Sequence, residues 1–177
     1  MKKLFLSFLP LMFLSACALF QNRVVSLSVN FLEPTEWNGN VIPPHQSCSF
    51  DGGIGSTPPL HVRGVPEGTN LIIMEINNLD EPSLSENGGH GSIGFYHNGE
   101  HSATLLPIPG ESNVLPKFAF KEKSSRVKPS KPYPYMPPCI ERKHRYAITV
   151  KAVNRTGSFD KQRTVLLGIG HIDLGTY

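Results

Sequence analysis

Pro132-Tyr-Pro-Tyr-Met-Pro-Pro-Cys-Ile-Glu-Arg-Lys-His-Arg-Tyr-Ala-Ile-Thr-Val-Lys-Ala-Val153 divides into a rigid half and an alternating half. Pro132, Pro134, Pro137 and Pro138 fix φ and remove backbone donors, which excludes both a helix and a central strand there. From His144 onward the pattern has the period of a strand. His144, Tyr146, Ile148, Val150 and Ala152 share one face, and Arg145, Thr149 and Lys151 take the other. The first face is apolar at its far end and carries an imidazole and a phenol where it leaves the proline loop. Polar groups at the mouth of an apolar wall suit a small ligand pocket. The same two residues fit the fraying end of a strand equally well.

Outward from this stretch the chain reads as β-rich. Its 177 residues allow one domain of ordinary size, and 16 Gly and 16 Pro suit short strands joined by turns. Val25, Leu27, Val29 and Phe31 alternate with polar residues, which predicts a half-buried strand. Residues 33–55 read as a long ordered loop. Leu71 to Ile76 is the most apolar strand, with Ile72, Met74 and Ile76 on one face and Asn78 continuing it. Leu71, Ile73 and Glu75 take the opposite face. Ser83 to Gly91 reads as polar and flexible, Ile93 to Tyr96 as a short strand, and Asn98-Gly99 as a hairpin turn. Lys117 to Lys131 carries six basic residues against one Glu and reads as a solvated loop, with contact to anionic lipid heads as the alternative. An apolar run, Val165 to Ile169, precedes the tail.

The N-terminus belongs to targeting. Lys2 and Lys3 precede an apolar run, Leu4 to Leu14, too short to span a bilayer. Leu14-Ser15-Ala16-Cys17 resembles the lipobox of bacterial lipoproteins, which implies cleavage before Cys17 and acylation of that residue. More than one acyl chain gives stable anchoring. The expected organisation is a signal peptide over 1–16, a lipidated tether over 17–23 and a domain over 24–177. Ala18 does not resemble an inner-membrane retention signal, so the expected location is the outer membrane facing the periplasm. Removal of Lys2 and Lys3 takes the 17 basic residues to 15 against 14 acids, a net charge of about +1. Nothing in that balance points to nucleic acid.

Four segments then fall in the order of a known pattern. Thr57-Pro58-Pro59-Leu60 is followed by Val65-Pro66-Glu67-Gly68-Thr69, then Asn78-Leu79-Asp80-Glu81-Pro82, then Tyr135 to Tyr146, then Leu174-Gly175-Thr176-Tyr177. Together they resemble the phosphatidylethanolamine-binding protein family, in its bacterial Raf-kinase-inhibitor-like branch. The resemblance implies a mainly β fold: a large central antiparallel sheet, a smaller packed sheet and a few short helices. It also implies a small anion pocket at the sheet edge for phosphate-like groups, including the phosphatidylethanolamine head group. Carried over by position, the pocket would comprise Asn78, Asp80, His90, the Pro137-Pro138 loop, His144 and Tyr146, with Asp80 orienting an imidazole. The chain departs from the family at Asn78, where the family has Asp, and at Pro137, where it has Gly. Ile140-Glu141 replaces a second Pro-Pro, and His90 sits between two glycines. The segment between Asn154 and His171 is short for the helix the family often has there.

Cys48 and Cys139 are the two thiols left after processing, in a compartment that permits disulfides, and each lies in a Pro/Gly-rich loop. A bond between them is therefore expected. No cofactor is expected. The expected partners are a small anionic ligand and the membrane reached through the anchor. The family also contains protease and kinase inhibitors, so a protein partner is an alternative. An enzyme is the weaker reading. His90, His97 and His101 match no metal spacing, and no Gly-x-Ser-x-Gly elbow occurs.

Overall fold

A computed structural model describes residues 23–128, 131–139, 143–158 and 161–177. The expected signal peptide and Cys17 fall outside the described residues, as do Ile140 and Glu141. Among the described residues nine strands build two sheets: β1 (Val25–Ser26), β2 (Ser28–Phe31), β3 (Leu60–Arg63), β4 (Leu71–Asn78), β5 (Ser92–Tyr96), β6 (Ser102–Leu105), β7 (Ala119–Lys123), β8 (Arg145–Thr156) and β9 (Arg163–Thr176). The larger sheet has six strands in the order β1-β9-β8-β4-β5-β7, and the smaller has three in the order β2-β3-β6. Pairing in the large sheet is antiparallel except at its edge, where β1 runs parallel to β9. The helices expected from the family reduce, among the described residues, to short 3-10 turns such as Pro44–Gln46 and Ser49–Asp51.

Strand β4 is buried at all eight positions because apolar layers cover both of its faces. Ile72, Met74 and Ile76 face the main core with Ile148, Val150 and Ala152 of β8, between the two sheets. Leu71 and Ile73 face a smaller cluster with Val153, Phe120 and Leu166. Fully burying one such aliphatic side chain stabilises by roughly 1.5–3 kcal/mol, so the paired centres of β4 and β8 anchor the fold. On its outer face Glu75 is buried and neutralised by Lys151 Nζ at 2.7 Å.

Several local expectations are corrected. The strand read over residues 25–31 is two strands in different sheets. It breaks at Leu27, whose N–H donates to Ile169 O of the large sheet before the chain crosses to the small one. Asn98-Gly99 makes no hairpin, because β5 lies in the large sheet and β6 in the small one. Turn chemistry is local, whereas the partner strand is chosen by where the apolar faces meet. A third of the basic stretch 117–131 is edge strand β7, with Glu122 paired to Arg155. The segment before His90 is pinned rather than flexible. Asn77 Oδ1 accepts from the Gly88 and Gly89 N–H groups, and the Arg126 guanidinium donates to the carbonyls of Ser83, Glu86 and Asn87. Where the family has a helix after Asn154, the described residues are the ends of the long β8–β9 pair.

Candidate functional site

The site forms where β4 and β8 end side by side. Register pairs Asn78 with Tyr146, so the last residue of one strand meets the first core-facing residue of the other. Tyr146 in turn pairs with Gly175 of β9, and a bulge follows it. His144 lies one residue before β8, half-buried, and is held by its backbone. Its N–H donates to Tyr177 O at 2.9 Å, and the Tyr177 N–H returns a bond to His144 O. The C-terminal Gly-Thr-Tyr therefore clamps the strand end that carries the imidazole.

Asn78 organises the polar groups. Its Nδ2 lies 2.9 Å from His144 Nδ1 and 3.5 Å from the Tyr146 hydroxyl, and its Oδ1 accepts from the Asp80 N–H at 3.2 Å. Asp80 does not orient an imidazole. Its carboxylate is forked by Arg145: Nη2 to Oδ1 at 2.6 Å, Nε to both oxygens, and the Arg145 N–H to Oδ2 at 2.8 Å. Those bonds hold the Asp80 carboxyl down at about 2. Asp80 and Arg145 thus brace the loop across the strand ends, which the sequence pattern could not reveal because it fixes faces and not side-chain partners.

His90 is brought to the same place from the β4–β5 connection. Its backbone bonds Ile76 O and Met136 N, and its ring packs edge-on against Tyr146 with centroids 5.2 Å apart. His90 Nδ1 lies 2.8 Å from Met136 O. Burial drives its pKa down to about 4; the Met136 bond opposes the shift and nearby His144 adds to it. His90 Nε2 is buried with no protein partner among the described residues, a state shared there with Ser92 Oγ. Burial, then Tyr177 and Asp80, push the Tyr146 phenol up to about 12, and burial pushes that of Tyr135 higher still. Both hydroxyls are therefore protonated in the physiological range.

The proline loop forms the wall. Residues 134–138 are buried, and the contact to His90 comes from the Met136 carbonyl rather than from Pro138. Pro138 O instead accepts from the Cys48 N–H at 2.9 Å. Cys48 and Cys139 are joined by a disulfide, with Cα atoms 5.4 Å apart, which ties this loop to residues 47–55. Gly91 permits the close approach. It holds φ near +117°, and a Cβ there would collide with Pro134 O. Met136, Arg145 and Tyr177 are the contributors that strand periodicity missed; only the terminal Gly-Thr-Tyr carried a signal for the last.

His97 and His101 are not part of this cluster. They lie beyond the far end of β5, where His97 Nε2 is 2.8 Å from Glu100 O and His101 Nδ1 is 3.4 Å from Val65 O. A group of possible metal donors does occur among the described residues, at Cys48, Asp51 and Cys139, but its two thiols are joined to each other. A groove of about 500 Å³ lined by Ile72, Tyr96, His97 and Phe118 opens at the other end of β4, about 20 Å from Asn78 at ~3.3 Å per residue. It is remote from the imidazoles.

A model of the phosphatidylethanolamine-binding protein family matches residues 33–172. The chain belongs to this family. Family membership accounts for the two-sheet architecture. Among solved structures, Escherichia coli YbcL, described as a new member of the mammalian family, aligns with a TM-score of 0.54 at 18% identity, covering 86% of this chain and 98% of that one. The phosphatidylethanolamine-binding protein homologue CT736 of Chlamydia trachomatis aligns with a TM-score of 0.49 at 17% identity, covering 86% and 97%. No curated protein matches the chain.

Proposed function

We propose that this family member is an envelope lipoprotein, anchored through Cys17 in the outer membrane and facing the periplasm, that binds a small phosphate-like anion. The binding site is the cluster of Asn78, His90, His144 and Tyr146. The observation that carries this reading is the buried His90 Nε2, a polar atom with no partner among the described residues, on a ring packed against Tyr146, whose hydroxyl shares the Asn78 amide with His144. A buried polar group left without a partner costs roughly 1–3 kcal/mol, and a ligand that supplies the missing bond relieves it. The role assigned is binding, with His90 Nδ1 engaged by the Met136 carbonyl and His144 Nδ1 by the Asn78 amide. The anchor rests on the Leu-Ser-Ala-Cys order at 14–17. Among the described residues no helix is long and apolar enough to cross a membrane.

Calorimetric titration with inorganic phosphate and with phosphoethanolamine tests the site. A hydrogen bond to a bound anion contributes roughly 1.5–3 kcal/mol, so His144→Ala should weaken binding about ten- to a hundredfold. Unchanged affinity in the variant would remove His144 from the site.

A further inference from the structure

Hydrogen-bond bookkeeping around the two imidazoles assigns each proton. The Asp80 backbone N–H can only donate, so the Asn78 atom 3.2 Å from it is the amide oxygen. The other end of Asn78 is then the NH₂ group, which can only donate, and it lies 2.9 Å from His144 Nδ1. His144 Nδ1 must therefore accept, and the proton of the neutral ring sits on Nε2, to which no described group is bonded. His90 has the reverse arrangement. Met136 O can only accept, so His90 Nδ1 carries the proton and its buried Nε2 presents a bare lone pair. The low pKa of His90, about 4, keeps that ring neutral near pH 7. The cluster thus offers two kinds of contact. His144 Nε2–H and the protonated Tyr146 hydroxyl can donate, while His90 Nε2 can only accept.

We infer that Asn78 and the Met136 carbonyl lock His144 and His90 in opposite tautomers, and that the site selects an oxyanion that carries its own proton, the monoanion of phosphate or of a phosphate monoester, over a fully deprotonated one. This rests on the anion-binding reading above. The P–OH group donates to His90 Nε2, and the charged oxygens accept from His144 Nε2–H and Tyr146. Sulfate has the same size and tetrahedral shape but no proton near neutral pH. It would leave the buried His90 lone pair facing an oxygen. A site built to receive a ligand hydroxyl discriminates strongly against the analogue that lacks it. Asn78 is the positioning residue: Asp at that place has no proton to donate, so it would accept from Nδ1 and move the His144 proton away from Nε2.

Two measurements on the full chain test this. Nitrogen-15 spectra of the histidine-labelled protein should show His144 protonated at Nε2 and His90 protonated at Nδ1, and Asn78→Asp should move only the His144 proton to Nδ1. Calorimetry at about pH 5.5, below the second phosphate pKa of about 6 or higher, should find inorganic phosphate or phosphoethanolamine bound at least about tenfold more tightly than sulfate or dimethyl phosphate, the worth of one unpaired buried group. Equal affinity for phosphate and sulfate would overturn the selection while leaving an anion site in place. A wild-type His144 protonated at Nδ1 would overturn the role of Asn78. Failure of all four anions to bind would overturn the anion site itself.

Discussion

Mild acid should strip stability from this fold through His90. The unfolded imidazole takes up its proton near 6.5, whereas burial delays uptake in the folded chain to about 4. Between those values the unfolded state holds more protons than the folded one, so stability falls as pH falls. The contribution is fully present above 6.5, erodes through the window, and is exhausted near 4. The full shift amounts to on the order of 3 kcal/mol, of which about 2 kcal/mol is lost between about pH 7 and about pH 5. For a domain of this size that moves a urea midpoint by about 1 M, taking a slope of about 2 kcal/mol per molar. The window of Asp80 lies lower, between 3.8 and about 2, and does not overlap. Urea unfolding followed by circular dichroism at several pH values, in buffers free of phosphate, measures the slope. His90→Asn keeps a donor for Met136 O but cannot titrate, so its midpoint should vary less by about that amount. An equal pH slope in wild type and His90→Asn would refute the assignment of this loss to His90.

Reduction of the Cys48–Cys139 bond, which closes a separation of 91 residues, should cost about 4 kcal/mol in the chain-entropy picture. Chemical unfolding with and without reductant measures it, and two titratable thiols in denatured, unreduced protein would exclude the bond. Gly91→Ala should destabilise by about 3 kcal/mol or more, because a Cβ at φ near +117° would meet Pro134 O. Thermal unfolding checks the size of the effect, and anion titration should show weakened binding as the proline loop is displaced. Mass spectrometry of the protein from its native host should find an acylated N-terminal Cys17; a free Cys17, or cleavage elsewhere, would exclude the anchor.

Faces and ends were legible in the linear chain because a strand has a period of two. The alternation of Tyr146, Ile148, Val150 and Ala152, and of Ile72, Met74 and Ile76, marks a wall whose two halves meet in the main core. Placing Asn78 and Tyr146 at the ends of those faces needed no more than the same period. The ordered segments resembling a known family added His90, which no periodicity could have connected to residues more than fifty positions away.

Which strands pair, and which atoms meet, had no such signature. The break at Leu27, the sheet change after β5 and the strand status of Ala119–Lys123 depend on where distant apolar faces find cover. The capture of Asp80 by Arg145, the bond of His90 to Met136 O and the clamp from Tyr177 depend on side-chain and backbone geometry at the end of a closed sheet. Residue type limits what an amide, an imidazole or a carbonyl can donate or accept. Only folding puts the Asn78 amide beside His144 and the Met136 carbonyl beside His90, and that placement determines which nitrogen carries each proton.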